Sequence, residues 1–198
     1  MVSERPSTRR NGRPSQRKAV IAPLLKVDLG CGPNKRPDFL GVDVIAFPGV
    51  DIVADLRDAW PWNDASIEEV NCSHFLEHLT GPERVHFANE LYRVLITGGK
   101  ATLVTPHWAS NRAYGDPTHQ WPPVSEMWFY YLSKEWRESN APHIDKRFAG
   151  DGFDCDFQAT WGYAMNEQLL IRNQEYQQFA LQNYKEAALD MIAAMIKR

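Results

Sequence analysis

The sequence predicts an α/β fold in which helices cover both faces of a doubly wound, mostly parallel sheet. The first observation is a series of short apolar runs at 24–29, 39–45, 50–56, 67–73 and 100–105. Strands that are buried on both faces have this continuous apolar character. The second observation is that helical or loop crossovers separate these runs, which is typical of a parallel sheet. A length of 198 residues fits one domain of this kind.

Composition excludes several classes of protein. Hydrophobic residues make up 43% and charged residues 24% of the chain, which is ordinary for a soluble globular protein. No apolar run approaches the ~20 residues that a membrane span needs, and the Arg-rich start lacks the apolar core of a secretory signal. The three cysteines, Cys31, Cys72 and Cys155, suggest neither a disulfide framework nor a zinc site. We therefore expect a cytoplasmic protein that does not associate with membranes.

Charge is distributed unevenly along the chain. The formal net charge is −3, yet residues 1–26 carry seven basic side chains against one acidic side chain, Glu4. Residues 1–20 are also rich in Ser, Pro and Gly and lack periodicity, which predicts a disordered basic arm. The arm is either a solvated tail or a contact for an acidic partner such as nucleic acid. Residues 21–198 are expected to form the folded domain.

The helix before the fifth predicted strand has the clearest local signals. Apolar residues at helical spacing predict this helix over 82–95. Thr80 is the expected N-cap, and Pro82 lies in the first turn, where proline is tolerated. Gly98 and Gly99 provide the stop before the strand at 100–105.

The second half of the chain is predicted to contain a lid, a strand and a helix. Residues 106–150 hold five prolines and many aromatic residues, and a long irregular insertion of this kind is usually functional, here as a substrate lid. A further strand is predicted at 154–163. Residues 168–197 carry an apolar stripe at helical spacing. The stripe predicts a long C-terminal helix that packs on the sheet or forms a homodimer interface.

A glycine-rich turn after the first predicted strand is the most informative segment. The sequence VDLGCG at 27–32 leads from a strand into a turn where glycine lets a ligand approach the backbone. Asp43 ends the second strand, where an acid can accept hydrogen bonds from both hydroxyls of a ribose. The third glycine of a dinucleotide-binding turn is missing and Pro33 follows Gly32, which suits a pyrophosphate poorly. These features predict an adenosine-containing ligand without phosphates and disfavour a nicotinamide dehydrogenase.

The segment Asp28-Leu29-Gly30-Cys31-Gly32 resembles the first motif of class I S-adenosylmethionine-dependent methyltransferases, whose fold is Rossmann-like. The resemblance covers roughly residues 25–165. It continues in the family's order through ADL at 54–56, WPWNDASI at 60–67, SHFLEHL at 73–79 and LYRVL at 91–95. The resemblance implies S-adenosylmethionine as cofactor. The implied cofactor-binding residues are Asp28, Gly30, Cys31, Gly32, Asp43, Val44, Asp55, Leu56, Ser73 and His74.

The chain departs from the family pattern between the first two strands. Residues 33–42 are all that separate the glycine turn from Asp43, and Pro37 lies among them. The first helix is therefore predicted to be short or absent. This side of the cofactor cleft is then more open, or the N-terminal segment covers it.

Methyl transfer to oxygen or nitrogen needs a group that removes a proton, and histidines follow the fourth and fifth strands. The first candidate for a general base is His119, with Asp116 as its orienting acid, and the second is His107. His74 and His78 are interpreted as structural or cofactor-adjacent. Asp116 and His119 could instead bind a divalent metal together with His107, but carboxylates are sparse and no metal is predicted.

The lid also provides candidate substrate contacts. Trp108 and Trp121 could stack on a planar acceptor, and Arg112 could anchor an anionic one. Most other lid aromatics are expected to form the core of the lid.

The function predicted from these features is an S-adenosylmethionine-dependent methyltransferase that acts at oxygen or nitrogen of a small molecule. One alternative is a nucleic-acid or protein methyltransferase that uses the basic arm for binding. The motifs typical of amino-directed and cytosine-C5 DNA methyltransferases are absent after the fourth strand, so neither base chemistry is supported. The other alternative is a non-catalytic module that binds S-adenosylmethionine.

Overall fold

The computed structural model describes residues 24–144 and 152–198. The basic arm predicted at 1–20 lies outside these residues, as does the end of the predicted lid. The described strands are Leu25–Leu29 (β1), Leu40–Asp43 (β2), Ile52–Val53 (β3), Ile67–Ser73 (β4), Leu95–Pro106 (β5), Phe157–Met165 (β6) and Ala188–Lys197 (β7). The described α-helices are Gly81–Val94 (α1), Arg112–Gly115 (α2), Glu126–Tyr131 (α3), Lys134–Asn140 (α4), Glu167–Leu170 (α5) and Gln174–Asn183 (α6). A 3-10 turn spans Leu76–His78.

The strands form one mixed sheet of order β3-β2-β1-β4-β5-β7-β6 in the described part of the chain. The pairs from β3 to β5 are parallel, and β7 lies antiparallel between β5 and β6. This arrangement confirms the predicted fold class. Because the carboxyl ends of parallel strands meet at one edge, the segments after β1, β2, β4 and β5 meet there.

Helix α1 begins and packs as its sequence predicts. The backbone N–H and hydroxyl of Thr80 both donate to the Glu83 carboxylate at 2.7 Å, which fixes the first turn. Phe87 and Leu91 are buried on the helix face that covers the sheet, and they join Val27 and Leu29 of β1 in one apolar core.

The predicted C-terminal helix over 168–197 is wrong. The segment forms two short helices, α5 and α6, and then strand β7. Buried and exposed side chains alternate along much of β7, as Met191, Ala193 and Met195 are buried while Ile192 and Ile196 are exposed. Alternation with period two is the signature of a strand. Since β7 is paired on both sides within the sheet, no long helix is present there to form the predicted dimer interface.

The loop between β1 and β2 has no helix, as predicted from its length and Pro37. Residues 30–39, all of which are described, contain turns and bends. Polar contacts hold the loop instead. Lys35 pairs with Asp51 at 2.7 Å, and the same Asp51 oxygen accepts from the backbone N–H of Gly41 at 2.7 Å.

The predicted lid divides into two parts. Residues from Pro106 to His119 border a cavity at the carboxyl edge of the sheet. Helices α3 and α4 instead pack beside strand β6, where Phe129 stacks on Trp161 with ring centroids 5.5 Å apart. Phe129 is buried in the core and Trp128 and Tyr131 pack against it, as expected for most lid aromatics, whereas Tyr130 is exposed. Within the described residues, no helix is both long and apolar enough to cross a membrane.

Candidate active site

The glycine turn and the acid at the end of β2 lie against each other. The backbone N–H of Gly32 donates to Oδ2 of Asp43 at 2.9 Å, and that of Ile45 donates to Oδ1 at 2.9 Å. A carboxylate can accept about four hydrogen bonds, so Asp43 keeps acceptor capacity for a ligand. Gly30 and Gly32 have φ values of 62° and 54°, which explains the need for glycine.

Asp28 holds the loop after the glycine turn through hydrogen bonds. It is 3% exposed, its Oδ2 accepts from the backbone N–H of Arg36 at 2.7 Å, and its Oδ1 accepts from Asn71 at 2.6 Å. These contacts tie the far end of the glycine loop to β4. The structure therefore shows Asp28 as a residue that shapes the loop.

A first cavity of about 410 Å³ opens beside this turn. Six of the predicted cofactor-binding residues line it: Gly30, Asp43, Val44, Asp55, Leu56 and His74. Asp28, Cys31, Gly32 and Ser73 are not among its lining residues. The Cys31 sulfur instead lies beside Gly41, where an added Cβ would come within 2.9 Å of it, and burial raises the pKa of this thiol.

Asp55 lines the first cavity but already has a charged partner. Arg57 donates to both carboxylate oxygens, at 2.9 Å from Nε and 2.6 Å from Nη2. These hydrogen bonds lower the pKa of Asp55 to about 2. The two residues thus form one polar unit at the cavity wall, and the sequence reasoning did not include Arg57.

A second cavity of about 500 Å³ adjoins the first. Its lining residues are His74, Pro106, Arg112, Gly115, Asp116, Pro117 and His119. Arg112 donates from Nη1 to Oδ2 of Asp190 at 2.7 Å. The other oxygen of Asp190 is buried and has no hydrogen-bond partner among the described residues. Sequence reasoning missed Asp190 because it interpreted the β7 segment as a helix.

His74 belongs to both cavities and is held in an unusual backbone conformation. Its φ is 54°, which is rare for a residue with a Cβ. Such strained conformations cluster at functional sites. Nδ1 of His74 lies 3.2 Å from Oε1 of Glu77, which is 4% exposed. The hydrogen bond to Glu77 raises the pKa of His74. From the sequence, His74 is placed on the cofactor side, and no role is assigned to Glu77, which follows the same strand.

The structure brings His119 and Asp116 together without joining them. Nε2 of His119 lies 3.9 Å from Oδ2 of Asp116, beyond hydrogen-bond distance. Nδ1 of His119 instead faces the carbonyl oxygen of Ala113 at 3.3 Å. Asp116 accepts from the backbone N–H and the hydroxyl of Thr118, and these bonds lower its pKa.

Of the remaining predicted site residues, Arg112 lines the second cavity, whereas His107, Trp108 and Trp121 do not. His107 is 1% exposed, and its Nδ1 accepts from the backbone N–H of Ala109 while Nε2 faces Glu126 at 3.2 Å. Both ring nitrogens are thus engaged, so His107 offers no open nitrogen to a substrate. Trp108 and Trp121 are 39% and 77% exposed.

Comparison with known protein families finds a match that includes residues of this site. A protein-family model described as a methyltransferase domain matches residues 42–103, which run from β2 into β5. The match therefore includes Asp43, Asp55 and His74 but begins after the glycine turn. No curated protein sequence matches the chain.

Solved structures share the fold at low sequence identity. A SAM-dependent methyltransferase from Archaeoglobus fulgidus is 16% identical, with a TM-score of 0.60, over 88% of this chain and 86% of the other. A geranyl diphosphate C-methyltransferase from Streptomyces coelicolor is 14% identical, with a TM-score of 0.53, over 89% and 73%. A SAM-dependent methyltransferase from Methanosarcina mazei is 15% identical, with a TM-score of 0.52, over 87% and 91%.

The sheet order and the glycine turn facing Asp43 define a fold of the class I methyltransferase type. A methyltransferase-domain model matches residues 42–103, and solved S-adenosylmethionine-dependent methyltransferases share the fold. These findings support the family resemblance, the enzyme class and the cofactor predicted from the sequence.

Proposed function

We propose that this methyltransferase acts on an oxygen or nitrogen atom of a small molecule bound in the second cavity. The observation that carries the proposal is that the first and second cavities share His74. The His74 side chain lies between the two cavities, so it can contact a ligand in each of them. A volume of about 500 Å³ for the second cavity also lies within the usual range of small-molecule sites.

The residues of the first cavity fit the cofactor. S-adenosylmethionine, when bound, supplies a sulfonium methyl group. Asp43 would accept hydrogen bonds from the ribose hydroxyls, and Asp55 and Leu56 would lie on the adenine side. An added Cβ at Gly32 would meet nothing within 4 Å, so the backbone is open to a ligand there. A similar solved structure, that of the Streptomyces enzyme, contains S-adenosyl-L-homocysteine.

His74 is the residue best placed to remove a proton from the acceptor. A carboxylate can only accept a hydrogen bond, so Glu77 holds the proton of neutral His74 on Nδ1 and leaves the lone pair on Nε2. The buried charge of Glu77 also stabilises the imidazolium that forms when Nε2 takes a proton. His74 with Glu77 therefore replaces the predicted His119–Asp116 pair as the first candidate for a general base. His119 remains a residue of the acceptor cavity.

An acceptor screen tests this function. The full chain is incubated with S-adenosylmethionine and a panel of small alcohols, phenols, carboxylic acids and amines, and the release of S-adenosylhomocysteine is measured. For an acceptor that reacts, His74→Gln should reduce kcat by about 10²–10⁴-fold, the usual contribution of a general base. His143→Gln replaces an exposed histidine in the same way and should leave kcat unchanged.

Two results would contradict the proposal. Methylation of added nucleic acid or protein, with no turnover in the small-molecule panel, would favour the alternative in which the basic arm binds the substrate. Turnover by His74→Gln at the rate of the wild type would exclude His74 as the base.

A further inference from the structure

Three side chains at the border of the two cavities bring metal-ligating atoms together. One carboxylate oxygen of Glu77 and one ring nitrogen each of His78 and His119 lie within 4.8 Å of one another. Glu77 and His78 come from the turn after β4, and His119 comes from the lid. We propose that Glu77, His78 and His119 bind a divalent transition-metal ion that ligates an oxygen of the acceptor. The part of this inference that concerns the acceptor rests on the proposed function.

Hydrogen bonds around the two imidazoles leave a lone pair on each. The carbonyl oxygen of Ala113 can only accept, so Nδ1 of His119 carries the proton and Nε2 is free to ligate. The hydroxyl of Thr118 donates to Asp116 at 2.6 Å and lies 3.0 Å from Nδ1 of His78. Nδ1 of His78 is therefore the donor in that contact, and its Nε2 also keeps a lone pair. Two imidazoles that each keep a lone pair thus lie beside a carboxylate, and a cation could bind to all three groups.

The surroundings of the two histidines match those of metal ligands. Metal-binding histidines nearly always donate their other ring N–H to a carbonyl, a carboxylate or a similar oxygen, which fixes the tautomer and the ring orientation. Ala113 does this for His119, and Thr118, backed by Asp116, does it for His78. Two histidines and one carboxylate form a recurrent ligand set, and imidazole favours ions such as Zn²⁺ and Fe²⁺ over Mg²⁺ and Ca²⁺.

Buried charge provides a second argument. Glu77 is 4% exposed, and its hydrogen-bond partners are the ring of His74 at 3.2 Å and the hydroxyl of Thr105 at 3.3 Å. A buried carboxylate is costly unless a cation or several strong donors compensate it. A metal ion on one lone pair of Glu77 would supply that charge and leave Oε1 in contact with His74.

A buried arginine holds the two halves of the site in register. Arg84 is 5% exposed and donates to the carbonyl oxygens of Leu76, Gln120 and Pro122 at 3.1, 3.2 and 2.6 Å. The backbone N–H of Gln120 in turn donates to the carbonyl oxygen of Glu77 at 2.8 Å. In the tetrahedral geometry of Zn²⁺, ligand atoms at about 2.0–2.2 Å from the ion lie about 3.3–3.6 Å apart. Ligand atoms that now lie up to 4.8 Å apart would therefore approach each other by roughly 1.2–1.5 Å when the ion binds.

The position of the proposed metal site suits binding of the acceptor. Three protein ligands leave coordination positions open for a substrate, as in catalytic metal sites. His119 and His74 both line the second cavity, so an acceptor oxygen bound to the metal would lie on the side of the proposed base. The metal would make an acceptor hydroxyl more acidic, and its proton would pass to Nε2 of His74. The class of acceptor that fits is an oxygen nucleophile, and a second oxygen on the acceptor could occupy another open position.

The experiment is a Co²⁺ titration of the full chain without a histidine tag and freed of metal by a chelator. The visible absorption of Co²⁺ reports its ligands and requires no turnover. We expect one equivalent of Co²⁺ to produce a saturable spectrum that Zn²⁺ displaces. His119→Ala and His78→Ala should each weaken binding by more than about tenfold, since even changes to residues that only orient a ligand cost about 10–100-fold. The matched control, His143→Ala, removes an exposed histidine and should bind as the wild type does.

Each outcome decides a separate point. A wild-type protein that gives no saturable Co²⁺ spectrum, or the same affinity in His119→Ala as in the wild type, overturns the metal site. Circular dichroism measures whether each variant is folded. Glu77→Gln changes the third proposed ligand at a buried position. If this variant does not fold, the result for His119→Ala decides the test. S-adenosylhomocysteine binding is measured in the same proteins by calorimetry. Its failure in the wild type would overturn the cofactor site, while the Co²⁺ result would still decide the metal site.

Discussion

At the scale of single residues, Asp43 is the side chain on which the proposed cofactor site depends. Both of its oxygens face backbone N–H groups of the site and retain acceptor capacity. Asp43→Ala should weaken S-adenosylhomocysteine binding by about 10–100-fold, because a hydrogen bond to a charged group contributes about 1.5–3 kcal/mol. Calorimetry measures the change. Asp64→Ala removes a carboxylate whose side chain is 80% exposed and should bind as the wild type does, and equal affinity in the two variants would refute the ribose assignment.

Asp55, which the sequence predicts to bind the cofactor and which lines the first cavity, shows how a neighbour alters the charge state of a site residue. Arg57 lowers the pKa of Asp55 to about 2, against an ordinary value of 3.8. The ion pair therefore stabilises the fold above pH 3.8 and loses this contribution as the pH falls from 3.8 through about 2. In Arg57→Gln, Asp55 should titrate closer to 3.8, as followed by NMR of the side-chain carboxyl carbon. Arg172→Gln, at an exposed position, should leave the titration of Asp55 where it is in the wild type.

At the scale of elements, the glycine turn separates the effect of backbone conformation from that of space. Gly30 and Gly32 both have a positive φ, but an added Cβ at Gly30 would lie 2.6 Å from Phe75, whereas one at Gly32 would meet nothing within 4 Å. Gly32→Ala should cost about 1–2 kcal/mol of unfolding free energy for the left-handed backbone alone. Gly30→Ala should cost about 1–3 kcal/mol more, because Phe75 must also move.

Urea denaturation of the two glycine variants measures this difference directly. Each variant is the control for the other, since they share the substitution and the sign of φ. Equal costs would show that Phe75 yields without penalty and that the turn does not rely on close packing against the segment after β4.

Elements with strong local signals were predicted well, and elements defined by distant contacts were not. The capped helix α1 and strand β4 depend on signals within their own sequence, such as Thr80 with Glu83. The ALDMIAAMIK segment of β7 consists largely of good helix formers. It becomes a strand because β5 and β6 pair with it on both sides, and such tertiary pairing overrides local propensity. The same limit applies to the site, because Asp43 lies eleven residues after Gly32, whereas His119 lies about forty residues after His78 in the chain.

At the scale of the whole molecule, binding of the cofactor product should stabilise the fold as a unit. S-adenosylhomocysteine at 100 times its Kd should raise the unfolding free energy by about 2.7 kcal/mol. A chain of this size gains roughly 2–4 °C in Tm per kcal/mol, so thermal unfolding should shift upward by about 5–11 °C. NAD at the same concentration should produce no shift, because the turn lacks the third glycine and the helix N-terminus that bind a pyrophosphate. Asp43→Ala, which weakens binding by about 10–100-fold, should remove about half of the shift or more if the first cavity is its source. Stabilisation by NAD without stabilisation by S-adenosylhomocysteine would contradict the identification of that cavity.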